Sequence, residues 1–250
     1  LTLQDLRYTD RKDDLSSEVT DTDKKTWAET AEQIAALQTP LDLSTSQYGY
    51  HNHYVIYGAI DLMNLVYTRQ YPDDGIKWLF SAQQVLDSLS KAQRINIKYV
   101  LFHLQTEGVC LAEEYAKNGD SCRRYYITGF TRLQDLRNVD LVAALKVNPM
   151  YVQLALDPLY FQFYSPNHSL YPDQAAYYDP NADPKTRPTF AGVLSGYDFT
   201  DAAHPFWEVY IRRHTKDYNC VHLNPCFKRK DGSNNQPFAG ITSQAYSITV

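Results

Sequence analysis

Cysteine is absent from Leu1 to Val109, and four occur beyond: Cys110, Cys122, Cys220 and Cys226. A thiol nucleophile is thereby excluded from the whole first part of the chain. The four form no CxxC pair and no histidine spacing completes them, which excludes a structural zinc ribbon or finger. Methionine is scarce, at two residues. No apolar run approaches the roughly 20 residues of a membrane span. Cationic charge is not in excess: 24 Lys and Arg face 29 Asp and Glu, a net charge of −5. That balance supplies no electrostatic footing for nucleic acid or an anionic membrane.

What is present is ordinary globular material, 44% hydrophobic and 21% charged, in 250 residues. That length suits one large domain or two small lobes sharing a cleft. Tyrosine is the outlier, with 21 copies. Its apolar body and polar tip suit half-buried surfaces and wet cavities. An even number of cysteines in two close pairs fits two local disulfides and an oxidising compartment. Asn167-His168-Ser169 is an N-glycosylation sequon, in agreement with that compartment.

Along the chain, residues 8 to 26 are charged without an apolar period and read as a solvated loop or insertion. A helix is expected from Trp27 until Pro40 stops it. From His53 to about Gln70 the sequence is apolar nearly all round, the mark of a buried central helix. Ser81 to Leu89 reads as a short helix capped by Ser81, and 97 to 107 as another closed by Gly108. Asn138 to Pro149 reads as a third short helix. After Pro149 come strand patterns at 150–157, 189–199, 205–214 and 238–250. Helices first and strands second predict an α+β chain with segregated lobes. The basic runs at 212–214 and 228–231 read as solvated turns. Asp13, Asp14, Asp21 and Asp23 lack the spacing of a calcium loop.

His51-Asn52-His53 invites a zinc reading. Two histidines at i, i+2 share a face on a strand but diverge on a helix, and the chain turns helical here. No metal and no cofactor is expected. His53 reads instead as the cap of the central helix, held neutral by the positive helix end.

The order of these features resembles the papain-like, cathepsin L-type cysteine peptidases over nearly the whole chain. "LTLQDLR" is similar to the mature start of that family. "QYGYHNHYVI" at 47–56 stands where members carry Gln-Gly-x-Cys-Gly-x-Cys-Trp-Ala-Phe. "VDLVAALKVNPMYVQLALDPLYFQFYSPNHSLYP" resembles the family's helix, "PVSVAIDA" strand and "FQFYKSGIY". "TFAGVLSGYD" is similar to "NHAVLVVGYG", "PFWEVYIRRH" to "YWIVKNSWG", and "FAGITSQAYSITV" to "MCGIASLASYPTV". The resemblance implies a papain-like two-lobe α+β fold, with a helical N-terminal lobe, an antiparallel β-rich C-terminal lobe and an interlobe cleft. It implies one domain over 1–250, with a probable insertion at 8–40, a helical lobe over about 41–137 and a β-rich lobe over about 138–250.

It also implies where catalysis should sit, and there the residues depart. His53 stands at the nucleophilic cysteine, Phe190 at the catalytic histidine and Ile211 at the asparagine. Gln47 matches the oxyanion-hole glutamine. A cysteine peptidase needs a thiolate, a base that also protonates the leaving amine, and a group that orients the imidazole. Phe and Ile carry no proton. The expectation is therefore a catalytically inactive homologue that binds a protein or peptide or serves as a subunit of a larger assembly. Its cleft candidates are Gln47, Tyr50, His53, Tyr54 and Phe190, with His53 and Phe190 plugging or reshaping the groove. The alternatives are an enzyme with altered chemistry at His53 and a structural or storage protein. Bridges Cys110–Cys122 and Cys220–Cys226, glycosylation at Asn167, and a secreted or endolysosomal or vacuolar location complete the expectations.

Overall fold

A computed structural model describes residues 24–39, 42, 53–133, 138–154, 190–201, 206–212, 218–223, 226–227, 236–237 and 245–250. Its helices are α1 (Ala31–Gln38), α2 (Tyr54–Gln70), α3 (Ala82–Ser88), α4 (Lys91–Arg94), α5 (Ile97–Thr106), α6 (Ala112–Asn118) and α7 (Asn138–Val147). Its strands are β1 (Lys24–Thr26), β2 (Gly129–Leu133), β3 (Met150–Leu154), β4 (Phe190–Asp198), β5 (Phe206–Arg212), β6 (Tyr218–Leu223), β7 (Cys226–Phe227), β8 (Gln236–Pro237) and β9 (Ala245–Thr249). No helix of the described residues is long and apolar enough to cross a membrane.

The central helix forms where its all-round apolar sequence requires. Val55, Ile56, Ala59, Ile60, Leu62, Met63 and Leu65 of α2 are fully buried, with helices on one side and the sheet on the other. Gly58 permits the close approach to the sheet: a Cβ there would stand 2.9 Å from the Tyr151 ring and 3.2 Å from the Gly192 backbone N. Ser81 caps α3 as expected, accepting from the Gln84 N–H at 3.0 Å. Asp42 adds a second tie there, accepting from the Gln83 N–H at 3.1 Å. Gly108, at φ 70°, follows α5.

The main sheet is antiparallel in the order β2-β9-β3-β4-β5-β6. Strand β1 pairs with the far half of β4, from Thr26 opposite Gly196 to Lys24 opposite Asp198. β1 thus continues the edge of β4 that β3 covers over 190–194. This corrects the reading of residues 8 to 26 as loop throughout: Lys24–Thr26 is a strand. The register of β4 against β5 shifts between Leu194 and Gly196, a β-bulge at Ser195. There the Ser195 carbonyl accepts from the Trp27 N–H at 2.8 Å. The Ser195 and Thr26 hydroxyls both donate to Glu208, at 2.6 and 2.7 Å. A Cβ on Gly196 would lie 2.2 Å from the Lys25 carbonyl oxygen, so only glycine fits beneath β1.

The helix expected from Trp27 begins later, at Ala31. Thr30 is the better start, because its hydroxyl accepts from Gln33 N–H while the Gln33 side chain reaches back to the Thr30 N–H. Trp27 is spent elsewhere. Its indole N–H donates to the Leu145 carbonyl at 2.6 Å, and Lys25 and Arg69 lie 4.5 and 4.4 Å from its ring centre.

Pleat alternation gives the sheet two covered faces. Tyr151, Val193, Tyr210 and Tyr246 pair side by side across β9, β3, β4 and β5 and join the α2 core. Val152, Leu194, Val209 and Ile211 occupy the opposite face, also buried, and α7 packs against β4. A buried ion pair ties α2 to β5. Arg212 Nε donates to Asp61 Oδ2 at 2.7 Å and its Nη2 to Asp61 Oδ1. Its Nη1 donates to the Thr39 carbonyl at the end of α1. Both side chains are almost wholly buried, at 4% and 2% exposure. Arg212 is thus no part of a solvated turn, which corrects the reading of 212–214 at that residue. A buried charge must be paired, and its partner lies in the middle of the apolar helix.

Replacing Asp61 or Arg212 alone by alanine is expected to cost about 3–5 kcal/mol of stability, because each leaves the other charge buried and unpaired. The double change Asp61→Leu with Arg212→Met is expected to cost clearly less than the sum. Urea unfolding of the three variants checks this, and additive losses would refute the coupling.

Candidate functional site

The site expected from the sequence lies where α2 begins. His53 is the residue preceding α2, at φ −117° and ψ 2°, and its side chain makes no capping hydrogen bond. The cap position is therefore as expected, but its imidazole does not cap the helix. The ring is 4% exposed and meets Tyr57 edge-on, with centroids 6.3 Å apart. Burial lowers its pKa, and the nearby Arg94 charge lowers it further. The neutral imidazole is favoured, as expected, although burial is the main cause.

Phe190 opens β4 and Ile211 lies on β5 opposite Gly192. Phe190 is two residues from Gly192, so Phe190 and Ile211 share the sheet face turned away from α2. The expected packing of Phe190 beside His53 is not what this register provides. The α2-facing positions at this level are Ala191, which joins the α2 core, and Arg212, which binds Asp61. Neither is a histidine or an asparagine. Gln47, Tyr50, His51 and Asn167 lie outside the described residues.

Around the start of α2 the register assembles a polar group that the sequence reading missed. Tyr54 packs at the edge of the core. Behind it, the Tyr151 hydroxyl accepts from the Gln153 amide at 2.8 Å. Burial holds Tyr151's pKa well above its ordinary value, with the Gln153 bond opposing. The signal lies in "MYVQLALD", where Tyr and Gln alternate with apolar residues; only the pairing of β3 with β4 decides which face meets the helix. Among the described residues no three His, Cys, Asp or Glu side chains converge as a metal site.

One expected disulfide is present: Cys110–Cys122, with Cα atoms 5.9 Å apart. Gln84 braces it, its carbonyl oxygen accepting from the Cys110 N–H at 2.7 Å. The expected Cys220–Cys226 bridge is not formed, because Cys220 is a free thiol. It sits in β6 directly opposite Tyr210, whereas Cys226 belongs to β7, in a separate two-stranded sheet with β8. Burial raises the Cys220 pKa strongly and the Glu208 charge adds to it, against a hydrogen bond with Tyr210. Such a thiol is a poor nucleophile.

A long buried helix lying against one face of an antiparallel sheet, with α1, α3 and α5 packed on that helix and α7 against β4, defines a papain-like α+β fold. Solved structures of that class superpose on it. The proform of Amb a 11, a cysteine protease and major pollen allergen of ragweed, matches with a TM-score of 0.63 at 18% identity, over 96% of this chain and 69% of that one. Digestive procathepsin L 3 of the Tenebrio molitor larval midgut matches with a TM-score of 0.59 at 13% identity, over 91% and 69%. No protein-family model matches the chain, and no curated protein matches it.

Two measurements check these assignments. Alkylation of the native protein is expected to spare Cys220 until the chain unfolds, and a non-reducing peptide map to yield Cys110 joined to Cys122; a Cys220–Cys226 peptide would refute the strand placement. The second concerns pH. Burial lowers the pKa of both His53 and His103 from 6.5. Between those lowered values and 6.5 the unfolded chain binds more protons than the native one. Their contribution is therefore full above that pH and declines as pH falls through the window. The thermal midpoint should drop on acidification, and less so in the His53→Gln/His103→Gln double variant. Parallel curves for the two proteins would contradict it.

Proposed function

We propose that this chain is a cathepsin-like pseudoenzyme, acting by binding a protein or peptide at the interlobe region or as a subunit of a larger assembly. The observation that carries the reading is the residue at the start of α2. A papain-like peptidase needs a thiolate there, stabilised by the helix end. This chain has a buried histidine whose neutral form is favoured. The strand positions that would supply the base and its orienting partner are Phe190 and Ile211 on one face, or Ala191 and Arg212 on the other. None of the four can take a proton from a nucleophile at neutral pH. Arg212 is in addition held by Asp61.

The Cys110–Cys122 disulfide supports an oxidising compartment. A secreted protein, or one of an endolysosomal or vacuolar lumen, glycosylated at Asn167, is the reading that fits it. The tyrosines Tyr50 and Tyr54, with Gln47, His53 and Phe190, are the proposed contact residues of the binding surface.

The test is hydrolysis of a broad fluorogenic peptide library from acid to neutral pH, with and without zinc, beside an active cathepsin. No turnover is expected. Turnover that vanishes in His53→Ala would replace the binding reading with an enzyme built on the histidine. Turnover that persists in that variant would sink both.

A further inference from the structure

A pocket of about 360 Å3 opens between α1, the last turn of α2 and the 71–79 segment. It lies at the opposite end of α2 from His53, and nothing in the proposed function uses it. Its size falls at the small end of ligand pockets, roughly 300–1,000 Å3. The apolar side comes from Tyr71, Ile76 and Trp78, and Ala35 of α1 faces them. Tyr71 and Trp78 stand with ring centroids 5.8 Å apart. The Trp78 indole N–H donates to the Tyr71 carbonyl at 3.1 Å and is thereby engaged.

Charge decides what such a pocket would hold. Glu32, in the first turn of α1, lines it. Its own backbone N–H and the Thr30 side chain hold its carboxyl below the ordinary value, which favours the carboxylate. Lys77 also lines the pocket; Glu113, on which its charge has a minor effect, is held low chiefly by Lys117. Asp73 and Asp74 sit on the turn just before. An aromatic wall beside a carboxylate is the arrangement that recognises organic cations. The other tryptophan of this region shows the preference already met: Trp27 is flanked by Lys25 and Arg69. Among the described residues no cation lies over Tyr71 or Trp78.

We propose that this pocket binds a small organic amine with an apolar body, its ring or chain against Tyr71, Ile76 and Trp78 and its ammonium toward Glu32. The probe is 2-phenylethylamine, with 2-phenylethanol and 3-phenylpropionate as neutral and anionic controls. Binding is followed by calorimetry and by the Trp78 indole N–H resonance, which is one of three in the chain. Saturable binding of the amine is expected, with the Trp78 signal moving. The alcohol should bind more weakly and the carboxylate not at all. Glu32→Gln should weaken the amine about two- to fivefold, as for an exposed ion pair, and Ala35→Phe should abolish binding by filling the pocket. Should Ala35→Phe fail to fold, Glu32→Gln carries the test, because Glu32 is exposed. Absence of saturation, equal affinity for the three probes, or an unchanged affinity in Glu32→Gln would each overturn the proposal.

Discussion

The pair between Asp61 and Arg212 is the point on which the architecture turns. Asp61 lies midway along the apolar helix α2, and Arg212 ends strand β5, 151 residues later. Neither charge survives burial without the other. By binding both carboxylate oxygens, Arg212 sets the rotation of α2 against the sheet. Through the Thr39 carbonyl it also fixes the end of α1. Asn64, one turn further along α2, does the same work in neutral form. Its amide donates to the Ala36 carbonyl at 3.3 Å and its oxygen accepts from the Phe80 N–H at 2.9 Å. The two buried polar side chains of the helix, Asp61 and Asn64, thus specify its neighbours, while its hydrophobic residues supply the bulk of the burial energy.

With the helix rotation set, the surroundings of its first residue follow. His53 is enclosed, and enclosure disfavours the imidazolium. The same α2-facing sheet surface that receives Asp61 presents Tyr151, Gln153 and Ala191 toward the helix. Near the start of α2 lie a histidine whose neutral form burial favours, an amide–phenol hydrogen bond and the Ala191 methyl group.

Much of the fold was legible from local pattern. The central helix announced itself because no side of it is polar. Ser81 and Gly108 marked element ends because a hydroxyl at an N-terminus and a glycine after a C-terminus satisfy helix-end groups locally. The disulfide at Cys110 was legible from its close spacing. Strand β1 was not, since three residues in a charged segment carry no period and their partner is β4, some 170 residues on. The short helices α4 and α6 escaped for lack of length, although Ser90 caps α4 with Gln93 in a recognisable box. At the site, residue types were legible but not facing: the register puts Phe190 and Ile211 away from α2, and a single-residue step along a strand reverses the face.

By itself the sequence determined the class of structure, a nearly all-apolar helix followed by strands in a papain-like order, and the absence of any thiol before Cys110. Those depend on local pattern and on residue identity, which the chain carries in one dimension. Only the tertiary structure decided that Arg212 is a buried partner and not a surface charge, that Cys220 stays a thiol against Tyr210, and that Glu32, Tyr71 and Trp78 share a pocket. Each of these rests on a pairing between distant segments. Such a pairing forms where burial of both partners lowers the free energy together, and neither segment records it alone.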